Sequence, residues 1–105
     1  NTLLTPEHRA IAPSIYKVLK NAQQAAAQNL QQIANGKSAA ATPSELVQIA
    51  MGEIEKEPLL KTEYVEIVNS LNLQIVNKWD DAQDIQMCTA VYAGNVRLID
   101  NIKLK

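Results

Sequence analysis

This sequence is poor in the residues on which metal, redox and nucleic-acid chemistry depend. Its one cysteine, Cys88, excludes an internal disulfide and a multi-cysteine metal site. A single thiol is also compatible with a reducing compartment, and a cytoplasmic protein is expected. Its one histidine, His8, has no second imidazole with which to form a His-based metal pair. Ten basic side chains stand against eleven acidic ones, a formal charge of −1. Arg97, Lys103 and Lys105 are spread along an apolar strand pattern. No nucleic-acid partner is expected, because phosphate binding calls for a concentrated basic face. No apolar run reaches about 18 residues, so no membrane-spanning helix and no membrane partner are expected. Asn1-Thr2-Leu3-Leu4 lacks the basic end and apolar stretch of a signal peptide. There is no internal repeat. The first residue is not methionine, and we expect a piece of a longer chain.

What is present has the balance of an ordinary globular protein, 47% apolar and 20% charged. A chain of 105 residues suffices for one domain, residues 1–105, with a modest core. Thr5-Pro6-Glu7 predicts a helix start, with a capping hydroxyl, a proline at the first helical position and an acid at the positive end. Pro13 predicts a kink or a restart, since it removes a backbone donor. Ile15, Leu19, Ala22, Ala26, Leu30 and Ile33, joined by Val18, then recur every three or four residues as one apolar stripe. Lys17, Lys20, Gln24, Gln28 and Gln31 form the opposite face, and Asn35-Gly36 predicts the end. After a linker over 37–41, Thr42-Pro43-Ser44-Glu45 is a capping box. The helix it opens is expected to bury Leu46, Val47, Ala50 and Ile54 and to stop before Pro58.

Beyond Leu60 the period becomes that of strands. Tyr64 to Val68 predicts a strand and Leu71 to Val76 a weaker extended segment. Asn77 to Asp84 reads as a polar turn interrupted by Trp79. Strands are predicted over 85–93 and 96–102, joined by Gly94-Asn95 as a type II′ hairpin turn with glycine at its first central position. Helices first and strands afterwards imply an α+β fold, with two amphipathic helices on a small antiparallel sheet of about three strands that ends in a C-terminal hairpin.

None of the reactive side chains is assigned a catalytic, cofactor-binding or metal-ligating role. His8, in a first helical turn, reads as a solvated surface residue. Cys88 reads as a small buried core residue, with no neighbouring cation to activate it. Glu53, Glu55 and Glu57, two apart on a helix, do not converge on one face and read as solvated. Trp79 is expected to anchor its loop onto the sheet, the other reading being a cover for a neighbouring domain. Arg97 and Asp100, an odd number apart, should lie on opposite sheet faces. Arg97, Asp100 and Asn101 are expected to act structurally, at the chain terminus or an interdomain surface. The helix starts at Thr5 and Thr42 lack the glycines that let a phosphate approach, and read as ordinary caps.

Three stretches resemble one family, in its order and with its spacing, over nearly the whole chain. Leu4-Thr5-Pro6-Glu7, Arg9-Ala10, Ala12-Pro13 and Ile15-Tyr16 resemble the segment after the nucleotide-binding signature of pantothenate synthetases. There a KMSKS-like loop, roughly M-S-S-R-N, leads into a helix, and Asn1 matches its last letter. Tyr64-Val65-Glu66-Ile67-Val68 is similar to the family's D-Y-V-E-I-V, with Glu63 in place of aspartate. Ala90, Ala93-Gly94 and Arg97-Leu98-Ile99-Asp100-Asn101-Ile102 resemble its closing A-x-x-x-G-x-x-R-L-I-D-N-I. Asn69-Ser70-Leu71 departs from the D-A-E often found there.

The resemblance implies a C-terminal lid domain. The family's Rossmann-like N-terminal domain, the expected partner, binds ATP and pantoate. With Mg²⁺ the enzyme forms pantoyl adenylate, releasing pyrophosphate, and β-alanine then displaces AMP to give pantothenate. Some relatives carry a cytidylate kinase downstream; no Gly-rich phosphate loop of that kind occurs here. The family's ligand-binding positions lie outside this chain, so the lid is expected to be inactive alone. The competing expectation, from the Gln-rich helix face, is a stand-alone protein-interaction module that docks a partner helix or self-associates.

Overall fold

Thr5 opens the first helix, its hydroxyl accepting from the His8 backbone N–H at 3.2 Å. The computed structural model describes residues 4–105, so the match at Asn1 lies outside the described residues. Helix α1 spans Pro6–Ile11 and α2 spans Pro13–Ala34. Ala12 between them keeps helical angles, φ −54° and ψ −38°, so the two segments form one long, slightly bent unit restarted at Pro13.

Along α2, Ile15, Leu19, Ala22 and Ala26 are buried, while Lys17, Lys20, Gln24, Gln28 and Gln31 are exposed. The stripe fails at its end. Leu30 is half-buried and Ile33 is 40% exposed. Asn29 is the buried residue of that stretch: its amide donates to the Ala25 carbonyl at 2.7 Å, and its side-chain oxygen accepts from the Ala41 N–H at 2.8 Å. A polar residue is tolerated there because both ends of its amide are bonded, and through it the 37–41 linker is tied to the helix. Gly36, at φ +77°, closes α2. The Lys37 N–H reaches the Gln32 carbonyl and the Gly36 N–H the Ile33 carbonyl, the paired bonds of a Schellman motif.

Helix α3, Pro43–Ile54, has both bonds of the capping box between Thr42 and Glu45. It buries Leu46, Ala50 and Ile54, with Val47 half-buried. The sheet follows: β1 Leu60–Asn69, β2 Ile85–Ala93 and β3 Val96–Lys103, antiparallel in that order. Gly94 has φ +65°, whereas Asn95 is not among the residues with positive φ, the pattern of a type II′ turn.

Strand β1 begins four residues earlier than the sequence pattern suggests. Thr62 pairs with Val91 and Tyr64 with Ala90, so Glu63 is an extra residue in a bulge. The bulge interrupts the alternation and hides the first part of the strand. Beyond β1 the chain folds back along its free edge. Val68 bridges Ile75, and the Val76 N–H donates to the Ile67 carbonyl at 3.0 Å. The stretch expected to be extended is therefore a turn followed by a short edge bridge.

The inner sheet face carries Val65, Ile67, Ile85, Met87, Val91, Ala93 and Ile102, packed with Leu19, Leu46, Ala50 and Ile54 in one core. Helices α2 and α3 lie on this face, α3 against β1 and α2 against β3. Trp79, 3% exposed, joins the core, and its indole N–H donates to the Ala41 carbonyl at 2.8 Å. It anchors its loop as expected, but to the linker between α2 and α3 as well as to the core. Among the described residues no helix is long and apolar enough to cross a membrane.

Candidate functional site

The bulge re-aims a charged side chain. Glu63 meets Arg97 from the far strand in a bidentate pair, Nε to Oε1 at 2.8 Å and Nη2 to Oε2 at 3.0 Å. Arg97 lies opposite Tyr92 on β2, so its side chain reaches past that ring to β1. The guanidinium, chiefly by hydrogen bonding, holds the Glu63 carboxyl below its ordinary value of 4.5, with a smaller contribution from Tyr92. Glu63 in turn raises Arg97 above its ordinary range. Both partners remain open to solvent, Glu63 37% and Arg97 45% exposed, so the pair orients the bulge more than it stabilises the fold. Two of the stretches singled out above are joined by this contact.

Beside the pair, at the hairpin end of the sheet, is an open cleft of about 560 Å³ lined by His8, Leu59, Lys61, Glu63, Tyr92 and Gly94, among others. Thr62 also lines it, and its hydroxyl oxygen is buried without a hydrogen-bond partner among the described residues. His8 is half-buried rather than solvated. Its Nδ1 is hydrogen-bonded to the Thr5 hydroxyl, and its ring lies over Gly94, where an added Cβ would come within 3.2 Å of Cε1. The imidazole is a spacer between α1 and the hairpin turn.

The arrangement is ill-suited to proton transfer. A general acid needs a carboxyl whose pKa is raised, and the guanidinium pushes Glu63 the other way. Glu53 pairs with Lys56 at 3.0 Å, and Glu55 is exposed. Among the described residues no three His, Cys, Asp or Glu side chains come together where they could hold a metal ion.

Cys88 is not a core residue. Its neighbours Met87 and Thr89 take the inner face, leaving Cys88 half-buried on the outer face, with Gln86 Nε2 at 3.1 Å from its sulfur. Arg97 and Asp100 do lie on opposite faces, opposite Tyr92 and Thr89 respectively. The chain end is held by other groups than these. Leu104 N–H donates to the Ile85 carbonyl, and Lys105 Nζ donates to the carbonyls of Trp79 at 2.7 Å and Ala82 at 2.9 Å. The Glu63–Arg97 contact had one sequence signal, the break in alternation at Glu63. The role of Lys105 had none.

A family model described as pantoate-beta-alanine ligase matches residues 1–103. The pantothenate synthetase of Porphyromonas gingivalis is 36% identical over 103 residues, covering 98% of this chain and 32% of that protein. That of Clostridium botulinum is 35% identical over 105 residues, covering 100% of this chain and 33% of its own. This chain therefore spans about a third of the length of these relatives. The crystal structure of pantothenate synthetase from Thermus thermophilus shares the fold, with a TM-score of 0.73 at 22% identity, over 99% of this chain and 33% of that one. With the family's pattern running through both its helical half and its sheet, the chain belongs to the pantoate-beta-alanine ligase family.

Proposed function

We propose that this chain is a lid domain of a pantoate–β-alanine ligase, acting with a nucleotide-binding portion that these residues do not contain. The carrying observation is one of extent: the chain aligns over 98–100% of its length with only about a third of the length of these relatives. On this reading the intact enzyme, in the cytoplasm, uses ATP and Mg²⁺ to join pantoate to β-alanine through a pantoyl adenylate. The chain's own contribution is to close over the cleft and keep water from the adenylate while β-alanine arrives. The nature of the hairpin-end cleft supports this. Its carboxylate is neutralised by Arg97 and its imidazole is used in packing, so it offers a shaped polar surface in place of a reaction centre.

The experiment mixes the chain with ATP, pantoate, β-alanine and Mg²⁺ and measures AMP. No AMP is expected from the chain alone. AMP and pantothenate are expected when it is joined to the nucleotide-binding portion. Turnover by residues 1–105 alone would overturn the reading.

A further inference from the structure

We propose that the outer face of the sheet, the face turned away from α2 and α3, is where this domain docks onto the remainder of the ligase chain. The inference rests on the lid reading and names the surface that does the closing.

The register defines this face. Tyr64, Glu66 and Val68 of β1 stand beside Ala90, Cys88 and Gln86 of β2, and Ile99, Asn101 and Lys103 of β3 complete the rows. Tyr92 and Arg97 continue it to the hairpin end. At the opposite end the edge bridge to Val68 brings Ile75 onto the same face. An antiparallel sheet with one solvated face ordinarily shows polar residues there. Here Ile99 is 55% exposed and Ile75 is 53% exposed. Next to Ile75, Leu71 and Leu73 are exposed at 84% and 63%. Their turn is firmly built, with Asn69 and Asn72 side chains accepting from the Leu71 and Gln74 N–H groups at 2.8 and 2.9 Å. Leu73 is held at φ +62°, where a large side chain is strained. Aliphatic groups displayed on a hydrogen-bonded turn offer a surface for contact.

Composition and size agree. Tyrosine and arginine are the residues on which interfaces most often depend, and two of the three tyrosines lie here with Arg97. A sheet of this length covers roughly 30 by 10–15 Å, which with the adjoining turn approaches the size of an interdomain contact. The occupant follows from chain length. The relatives carry about twice as much chain again beyond the part matched here. A mixed polar and apolar face suits a contact that opens and closes within one polypeptide.

The test places a single cysteine probe on one side of the domain or the other, in a Cys88→Ser background because Cys88 stands opposite Asn101 on the outer face. Asn101→Cys reports on the outer face and Ile49→Cys, on an exposed position of α3, on the helical side. Each is labelled with N-ethylmaleimide in the 105-residue chain alone and in the chain joined to a nucleotide-binding portion with ATP and pantoate present, with peptide-level mass spectrometry as readout. A face docked nine-tenths of the time slows labelling about tenfold. Such slowing at Asn101→Cys on joining, with Ile49→Cys unchanged, is the expected result. Equal labelling at Asn101→Cys, or protection of Ile49→Cys instead, overturns the proposal. Concentration-dependent protection of Asn101→Cys in the chain alone assigns the face to a second copy and also overturns it. Protection on joining, with no pantothenate formed when β-alanine and Mg²⁺ are then added to the joined chain, would leave the docking face standing and defeat the ligase reading, so the two failures are distinguishable.

Discussion

Gly94 meets two demands that no other residue satisfies together. Its φ of +65° is costly for any side chain, and a Cβ would press on His8. Gly94→Ala is expected to destabilise by about 1–2 kcal/mol from the backbone alone, measured by urea unfolding. His8→Ala in the same chain should recover the part due to crowding, so a double-mutant cycle would show the two sites coupled. If the effects simply add, the ring is not seated on the turn. At Glu63 the question is one of pH. Its carboxyl is depressed in the folded state, so its contribution to stability is present above the unfolded value near 4.5 and is lost as pH falls through the lower folded value. Glu63→Gln should therefore be less stable than the parent at neutral pH, and the difference should shrink as pH drops below 4.5. A constant difference across that range would show that the Arg97 pair contributes nothing through charge.

The elements show which physical signals are local. Thr42 with Glu45, Pro13 and Gly36 do what their chemistry requires within a few residues, and the helices were legible for that reason. The hairpin was legible because Gly94 alone can begin its turn. Other features depend on what the chain meets far away in sequence. Asn29 is buried because the linker returns an N–H to it twelve positions later, and Ile33 is exposed because the core ends a turn before it. Cys88 could have been placed by counting in twos from Met87, but its apolar setting looked like core on both sides. The cleft was invisible to local reading, since it assembles α1, β1 and the hairpin. At this scale the tail is the clearest test. Lys105 donates to two carbonyls of the loop that carries Trp79. Lys105→Ala should cost about 1–3 kcal/mol and loosen that loop, seen as faster amide exchange over 78–84. An unchanged midpoint and unchanged exchange would mean the ammonium is no anchor.

For the whole molecule, one core joins α2, α3, the sheet and the Trp79 loop. Unfolding should be a single transition in which Trp79 fluorescence and far-ultraviolet circular dichroism coincide. Trp79 is the only tryptophan, so its emission, shifted to the red on exposure, reports that core without ambiguity. Fluorescence that moves first would show the loop and Lys105 leaving the body before the helices do.

The bulge has a consequence of parity. Before Glu63 the inward residues of β1, Leu60 and Thr62, carry even numbers; after it, Val65 and Ile67 carry odd ones. Removing that one residue would do more than shorten a strand or free a guanidinium. One stretch of β1 would have to turn inside out or slide by a place, taking its aliphatic side chains out of the core or its pairing with β2 out of step.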